Sequence, residues 1–178
     1  QNCITIDYSY IGGGCSNTIT SNTHYASIGS GYGNCIVGVG VDNVNAFGVV
    51  GGGEGNDILS SSYGTVGGGG VNIISASNYS TIAGGTNNEI KSLNLALSGW
   101  GTIGGGECNF ITNTCYATIG GGCANLATGI KSTIGGGTLN TASGTCSFIG
   151  GGCKNYISSN SIYGVIAGGS NHTASAGC

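Results

Sequence analysis

The sequence predicts an all-β fold: a β-solenoid of about ten coils of 15 to 17 residues with glycine-rich corners. Three observations predict it. An aliphatic residue precedes a glycine run at Ile11, Ile28, Val50, Val66, Ile82, Ile103, Ile119, Ile134, Ile149 and Ile166, in steps of 17, 22, 16, 16, 21, 16, 15, 15 and 17. Self-similarity at such a period marks a solenoid or array. The stretches before the glycines, such as Tyr79-Ser-Thr-Ile82 and Tyr116-Ala-Thr-Ile119, are β-branched and aromatic, which favours strands. They are too short for helices, and glycine interrupts every coil.

With the aliphatic residue as position zero, each coil can be read in order. Position eight is Ile19, Ile36, Ile58, Ile74, Ile90, Ile111 and Ile157, or Ala127, Ala142 and Ala174. Two inward aliphatics on two short strands, stacked like over like, give a thin continuous core. Position three is glycine in every coil, and position two is glycine everywhere except Ser30. That predicts a tight corner with positive φ or close backbone approach. A phosphate loop would need Gly-Lys-Ser/Thr opening a helix, and neither is present. Position six is Asn17, Asn34, Asn56, Asn72, Asn88, Asn109, Asn125, Asn140 and Asn155, with His172 in the last coil. Asn suits a turn because its amide bonds nearby backbone and it tolerates left-handed conformations. Stacked Asn amides also bond along a fibre axis, so these residues are predicted to form a structural ladder.

A second column stands three residues before zero: Tyr8, Tyr25, Phe47, Tyr63, Tyr79, Trp100, Tyr116, Lys131, Cys146 and Tyr163. Strand alternation turns positions zero and minus two inward, and minus one and minus three outward. Minus two is always Gly, Ala or Ser, as a cramped interior requires, and minus one is Thr65, Thr81, Thr102, Thr118 and Thr133 in five coils. An outward aromatic row of this size needs a reason. Either it is an oligomer contact or a stack at a coil corner, or it is a ligand platform, for example for sugar rings. The two long steps predict insertions near 41–46 and 93–98, and insertions map to loops.

A chain of 178 residues is about one domain, here the whole of 1–178. Glycine is 40 residues, proline is absent and charged residues are 5%. The fixed beat of Ile, Val and aromatics separates it from disordered low complexity, and the lack of proline and of a Gly-X-Y period excludes collagen. Lys91, Lys131 and Lys154 are the only basic residues; a nucleic-acid partner needs a basic stripe. No apolar run reaches membrane-span length. The start at Gln1, with no signal-like segment, suggests a mature product or an excised fragment. No catalytic residues are assigned: there is no Gly-x-Ser-x-Gly elbow and no paired acids, and His24 and His172 stand apart.

Nine cysteines, an odd count, leave at least one free or bonded to another chain. No C-x-x-C pair exists, so no metal site or cofactor is predicted. Cys15, Cys123 and Cys153 stand at position four and Cys108 at position five. Cys108 and Cys123 lie on adjacent coils, about one strand spacing (~4.8 Å) apart, near enough for a disulfide. Small apolar filler with free thiols is the alternative. Gly52-Gly-Glu54-Gly-Asn56-Asp57-Ile58-Leu59 matches the calcium nonapeptide of β-rolls. The next coil lacks the Asp and the period is not nine, which makes it a local variant. Asn78-Tyr-Ser80 and Asn171-His-Thr173 are N-glycosylation sequons, relevant only on a eukaryotic secretory route.

The coils Ser132-Thr-Ile-Gly-Gly-Gly-Thr-Leu-Asn140-Thr-Ala-Ser-Gly144 and Ser80-Thr-Ile-Ala-Gly-Gly-Thr-Asn-Asn88 resemble glycine-rich repeats of tail and surface fibres of phages and large DNA viruses. They also resemble the head repeats of YadA-like trimeric adhesins. The resemblance covers 8–174 and implies a parallel, trimeric, protease-resistant stalk or head used for attachment. The period is longer than in the bacterial adhesins, and the cysteines are additional. The expected function is therefore a non-enzymatic structural or adhesive fibre segment of a virion or cell surface, a homotrimeric rod at the virion surface or outside the cell. Its expected partner is itself, as oligomer or filament, with host-surface glycans as further candidates. The alternatives are a carbohydrate- or surface-binding module on the aromatic column and a self-assembling extracellular filament subunit.

Overall fold

The computed structural model describes residues 1–38, 45–92 and 99–175. It is a β-solenoid. Short strands stack into an eleven-stranded parallel sheet, from Cys3–Ile4 to Thr173–Ala174, and a ten-stranded parallel sheet, from Tyr10–Ile11 to Val165–Ile166. Each coil contributes one strand to each sheet, so every neighbour in a sheet comes from the coil before or after. Register follows the repeat: Ile74 pairs with Ile58 and Ile90 in one sheet, and Ile82 with Val66 and Ile103 in the other. Position four makes a third wall of single-residue bridges, including Glu54 to Gly70 and Glu107 to Cys123.

Positions zero and eight form the core, and Ile28, Ile58, Ile90, Ile119 and Ile149 are among its fully buried members. Position minus two also faces inward: Ala26, Ala117, Ser132 and Ser147 are buried. The interior there is tight, since a Cβ on Gly101 would stand 2.9 Å from Cγ2 of Ile90. Coil length sets core size. The two 15-residue steps, Ile119 to Ile134 and Ile134 to Ile149, are those whose position eight is alanine, Ala127 and Ala142. A shorter circumference encloses less and takes the smaller side chain.

The corner glycines divide by cause. At position three Gly122 has φ 92°, and a Cβ there would lie 2.1 Å from the Gly137 carbonyl oxygen. At position two a Cβ on Gly121 meets nothing nearer than the Gly105 oxygen at 3.9 Å. That explains why position three tolerates no exception while position two accepts Ser30.

The first predicted insertion is not wholly loop. Asn45–Ala46 is a strand that pairs in parallel with Thr23–His24. The remainder of both insertions, 39–44 and 93–98, and Cys178 lie outside the described residues. No helix among the described residues is long and apolar enough to cross a membrane.

Candidate assembly and binding surfaces

The aromatic column occupies a coil corner, not the outward side of a strand. Strands in this sheet begin at minus one, as in Thr81–Ile82, and the residue at minus three is left-handed in every coil. Tyr25, Phe47, Tyr79, Trp100 and Tyr116 have φ of 59°, 69°, 55°, 58° and 59°. Such a conformation is sterically unfavourable for a bulky L-residue and persists only when the surroundings over-determine it. Here the constraint is backbone: Tyr79 N–H donates to Ser62 O and Trp100 N–H to Asn78 O of the preceding coil, as Lys131 N–H does to Cys115 O, and the rings stack on the corner so formed. Tyr8, Tyr25, Phe47, Tyr63, Tyr79, Trp100 and Tyr116 form one stack, with centroids 4.7–5.3 Å apart and planes within 16° of parallel.

This geometry decides what the column can present. A ring inside the stack has a neighbour on each face, so its solvent exposure, 48% for Tyr79, comes from its edge and hydroxyl. Sugar rings dock on aromatic faces, and along the column those faces are turned toward each other. Beyond Tyr116 the stack stops: the same corner holds Lys131 and Cys146 at φ 58° and 56° before Tyr163. Of the eight aromatics, Tyr163 stands outside the stack.

The Asn ladder is a continuous hydrogen-bond network in the interior. The amide oxygen of Asn88 accepts from the backbone N–H of Asn109 at 3.0 Å and from its Nδ2 at 3.1 Å. Asn88 Nδ2 in turn donates to Asn72 Oδ1, to Gly84 O in its own coil and to Gly106 O in the next, at 2.9–3.1 Å. The same pattern runs from Asn17 to Asn140, Asn155 joins it through its backbone N–H to Asn140 Oδ1 at 3.0 Å, and all nine side chains are buried. Buried amides satisfied this way rigidify a structure, and broken ones are expensive. The ladder has one rung that the repeat did not reveal. Asn2 Oδ1 accepts from Asn17 N–H at 3.1 Å, and Asn2 Nδ2 donates to Gly13 O and Gly14 O. The signal was Asn2-Cys-Ile4, the Asn-x-Ile half of a coil without its glycines. At the other end His172 N–H donates to Asn155 Oδ1 at 3.0 Å, so the histidine closes the ladder through its backbone.

A second left-handed corner stands at position five, filled by Ser16, Val71, Asn87, Cys108, Ala124, Leu139, Lys154 and Asn171 as well as glycines. It was missed because its composition is so mixed. Asn87, Asn171, Gly33 and Gly55 were the legible hints.

Cys108 and Cys123 are both free thiols, so the disulfide considered for them is not formed. The register gives the reason. Cys123 is bridged to Glu107, while Cys108 lies one residue further on, at the left-handed corner. Cys35 and Asp57 are ladder neighbours on the eleven-stranded sheet. Burial pushes the Cys35 thiol up, with the Asp57 charge adding to it, and burial pushes the Asp57 carboxyl up. In the calcium-like segment Glu54 lies on the position-four wall and Asp57 on the sheet, while Asn56 is held in the ladder. Among the described residues no three His, Cys, Asp or Glu side chains gather around a common point. The two sequons differ. Ser80 is buried and Asn78 Oδ1 accepts from Ser62 N–H at 2.8 Å, whereas Asn171 and Thr173 are exposed.

Neither a protein-family model nor a curated protein matches the chain.

Proposed function

We propose that this chain is a non-enzymatic structural segment of an extracellular or virion-surface fibre, a rod whose copies associate side by side as a homotrimer. One observation carries the reading: the repeated side chains are used on neighbouring coils. The Asn amides bond one another, the inner aliphatics fill the core, and seven of the eight aromatics stack along the axis. Repetition of this kind builds length and stiffness, not a pocket. At ~4.8 Å per coil the ten-stranded sheet is about 48 Å long. A solenoid this thin has a small core of its own, which favours association. A glycan-binding module on the aromatic column is less well supported, because the ring faces it would use are occupied.

Light scattering on the purified chain tests the reading. A mass three times that of the 17.2 kDa chain is expected. A stable monomer at tens of micromolar would overturn the homotrimer. A glycan array with hits that vanish in Tyr79→Ala and Trp100→Ala would favour the binding module instead.

A further inference from the structure

We infer that copies of this chain meet through the outer face of the ten-stranded sheet, and not through the aromatic column. The inference rests on the fibre reading above and names the surface that reading leaves open. Three observations point to this face.

The first is charge. The outward positions of this sheet are minus one, plus one and plus two, and none of the described charged residues stands at any of them. Asp57, Glu89 and Lys91 lie on the eleven-stranded sheet, Glu54 and Glu107 on the position-four wall, Lys131 and Lys154 at corners, and Asp7 at position minus four of the first coil. In parallel rods related by rotation about a common axis, equivalent coils of each copy meet at the same height. Charges on the meeting face would then be set against their own copies. The ten-stranded face has none to set, so burying it strands no ion.

The second is shape. From Thr65 to Thr133 the minus-one positions form a rank of five threonines in register. Beside them, position one is glycine or alanine throughout. A Cβ on Gly120 would stand 2.4 Å from the Gly135 carbonyl oxygen, so backbone stacking favours glycine in that column, and Ala83 and Ala167 add no more than a methyl. The result is a flat surface that another flat surface can approach closely. At either end of the threonine rank stand large apolar residues left in solvent: Tyr10 at 63%, Phe148 at 42% and Val165 at 66% exposure. Apolar and aromatic anchors of this type dominate the energetics of an interface once covered.

The third is area. The face is about 48 Å long and four residues, ~13 Å, wide, or roughly 600 Å². Specific interfaces bury about 600–1,000 Å² on each partner, so the whole face, used along its length, reaches the lower end of that range per copy, a total that a trimer divides between two neighbours. The rings of the aromatic column are exposed to a similar degree, 47% for Trp100, but offer a partner edges and not faces, since they already cover one another.

The test compares masses by light scattering, with the fold checked by a cooperative thermal melt. Thr102→Glu with Thr118→Glu places two carboxylates at the centre of the face and is expected to reduce the mass to that of one chain, 17.2 kDa. Thr112→Glu, at an outward position of the eleven-stranded sheet, is expected to leave the oligomer intact. An oligomer that survives Thr102→Glu/Thr118→Glu overturns the assignment of the face while leaving the fibre reading in place. A monomeric wild type overturns both. A measurement free of substitutions guards against a variant that fails to fold. Hydroxyl-radical footprinting of the wild type across its association range should show at least threefold protection of Tyr10 and Phe148, with Tyr156 on the other sheet unchanged. Equal protection of Tyr156, or none at Phe148, contradicts the inference.

Discussion

The coils from Tyr8 to Tyr116 and the two coils that follow share one backbone plan but are held by different means. In the first region the corner rings stack without interruption and position eight is isoleucine up to Ile111, with Ala127 in the Tyr116 coil. In the second, position eight is Ala142 and then Ile157, the corner carries Lys131 and Cys146, and Ser132 Oγ and Ser147 Oγ are buried without a partner. Ser80, the equivalent residue in the first region, bonds Ser77 Oγ at 2.9 Å. The glycine corners and the Asn ladder run through both regions. The comparison therefore separates what the solenoid requires everywhere from what only makes it stronger. Glycine at position three and Asn at position six belong to the first kind, rings and bulky core residues to the second.

The largest expected effect tests the core. Ile111→Ala should cost about 2–5 kcal/mol in a denaturant melt, since the coil cannot collapse onto the space left. Ala127→Ile should also destabilise, by about 1–3 kcal/mol, because the short coil has no room for it. If Ala127→Ile were neutral, coil length would not be what sets the residue at position eight.

The stack comes next. Tyr79→Ala removes two ring pairs, at 4.7 and 5.2 Å, and should cost about 1–3 kcal/mol at ~0.5–1.5 per pair. The converse experiment extends the column. Lys131→Tyr with Cys146→Tyr would join Tyr116 to Tyr163 and should raise stability by a comparable amount. No gain would mean that stacking follows from the corner geometry without strengthening it.

A smaller effect is expected at the unpartnered hydroxyls. Ser132→Ala and Ser147→Ala each remove a buried group with no hydrogen bond and should stabilise by about 1 kcal/mol. Alanine already fills the same position at Ala26 and Ala117. Ser80→Ala should instead destabilise.

The smallest effect is on pH. Burial holds the Asp57 carboxyl above its ordinary range, so the folded chain keeps that proton to a higher pH than the unfolded chain does. The associated stability is complete below the unfolded carboxylate range and is lost as pH rises through the folded value. Asp57→Asn should flatten the decline in stability across mildly acid pH. A steeper decline would contradict this.

Much of the fold was legible because a solenoid repeats its constraints. Isoleucine every 16 residues or so and an invariant glycine at position three can be satisfied in few ways, and the Asn column announced its own ladder. The left-handed corners were not legible. Strand alternation placed Tyr79 and Trp100 outward, which is correct in direction, but it carries no information that a bulky ring sits at φ near 55°. That conformation is imposed by neighbours many residues away, and local propensity opposes it. Asn2 was missed because a half coil shows no glycines. The disulfide considered for Cys108 and Cys123 rested on their lying on adjacent coils; the one-position offset already present in the count is what the register makes decisive, since Cys123 faces Glu107.

Hydrogen exchange resolved to single amides tests most directly whether the axial ladders hold the rod together. The backbone N–H groups of Asn56, Asn72, Asn88 and Asn109 are donated to the buried amide oxygen of the preceding coil, in the coils that carry the ring stack. They should be the slowest to exchange, at least tenfold slower than the amides of Lys131 and Cys146 at the ringless corners. Protection that is uniform along the chain, or greatest around Lys131 and Cys146, would contradict the account.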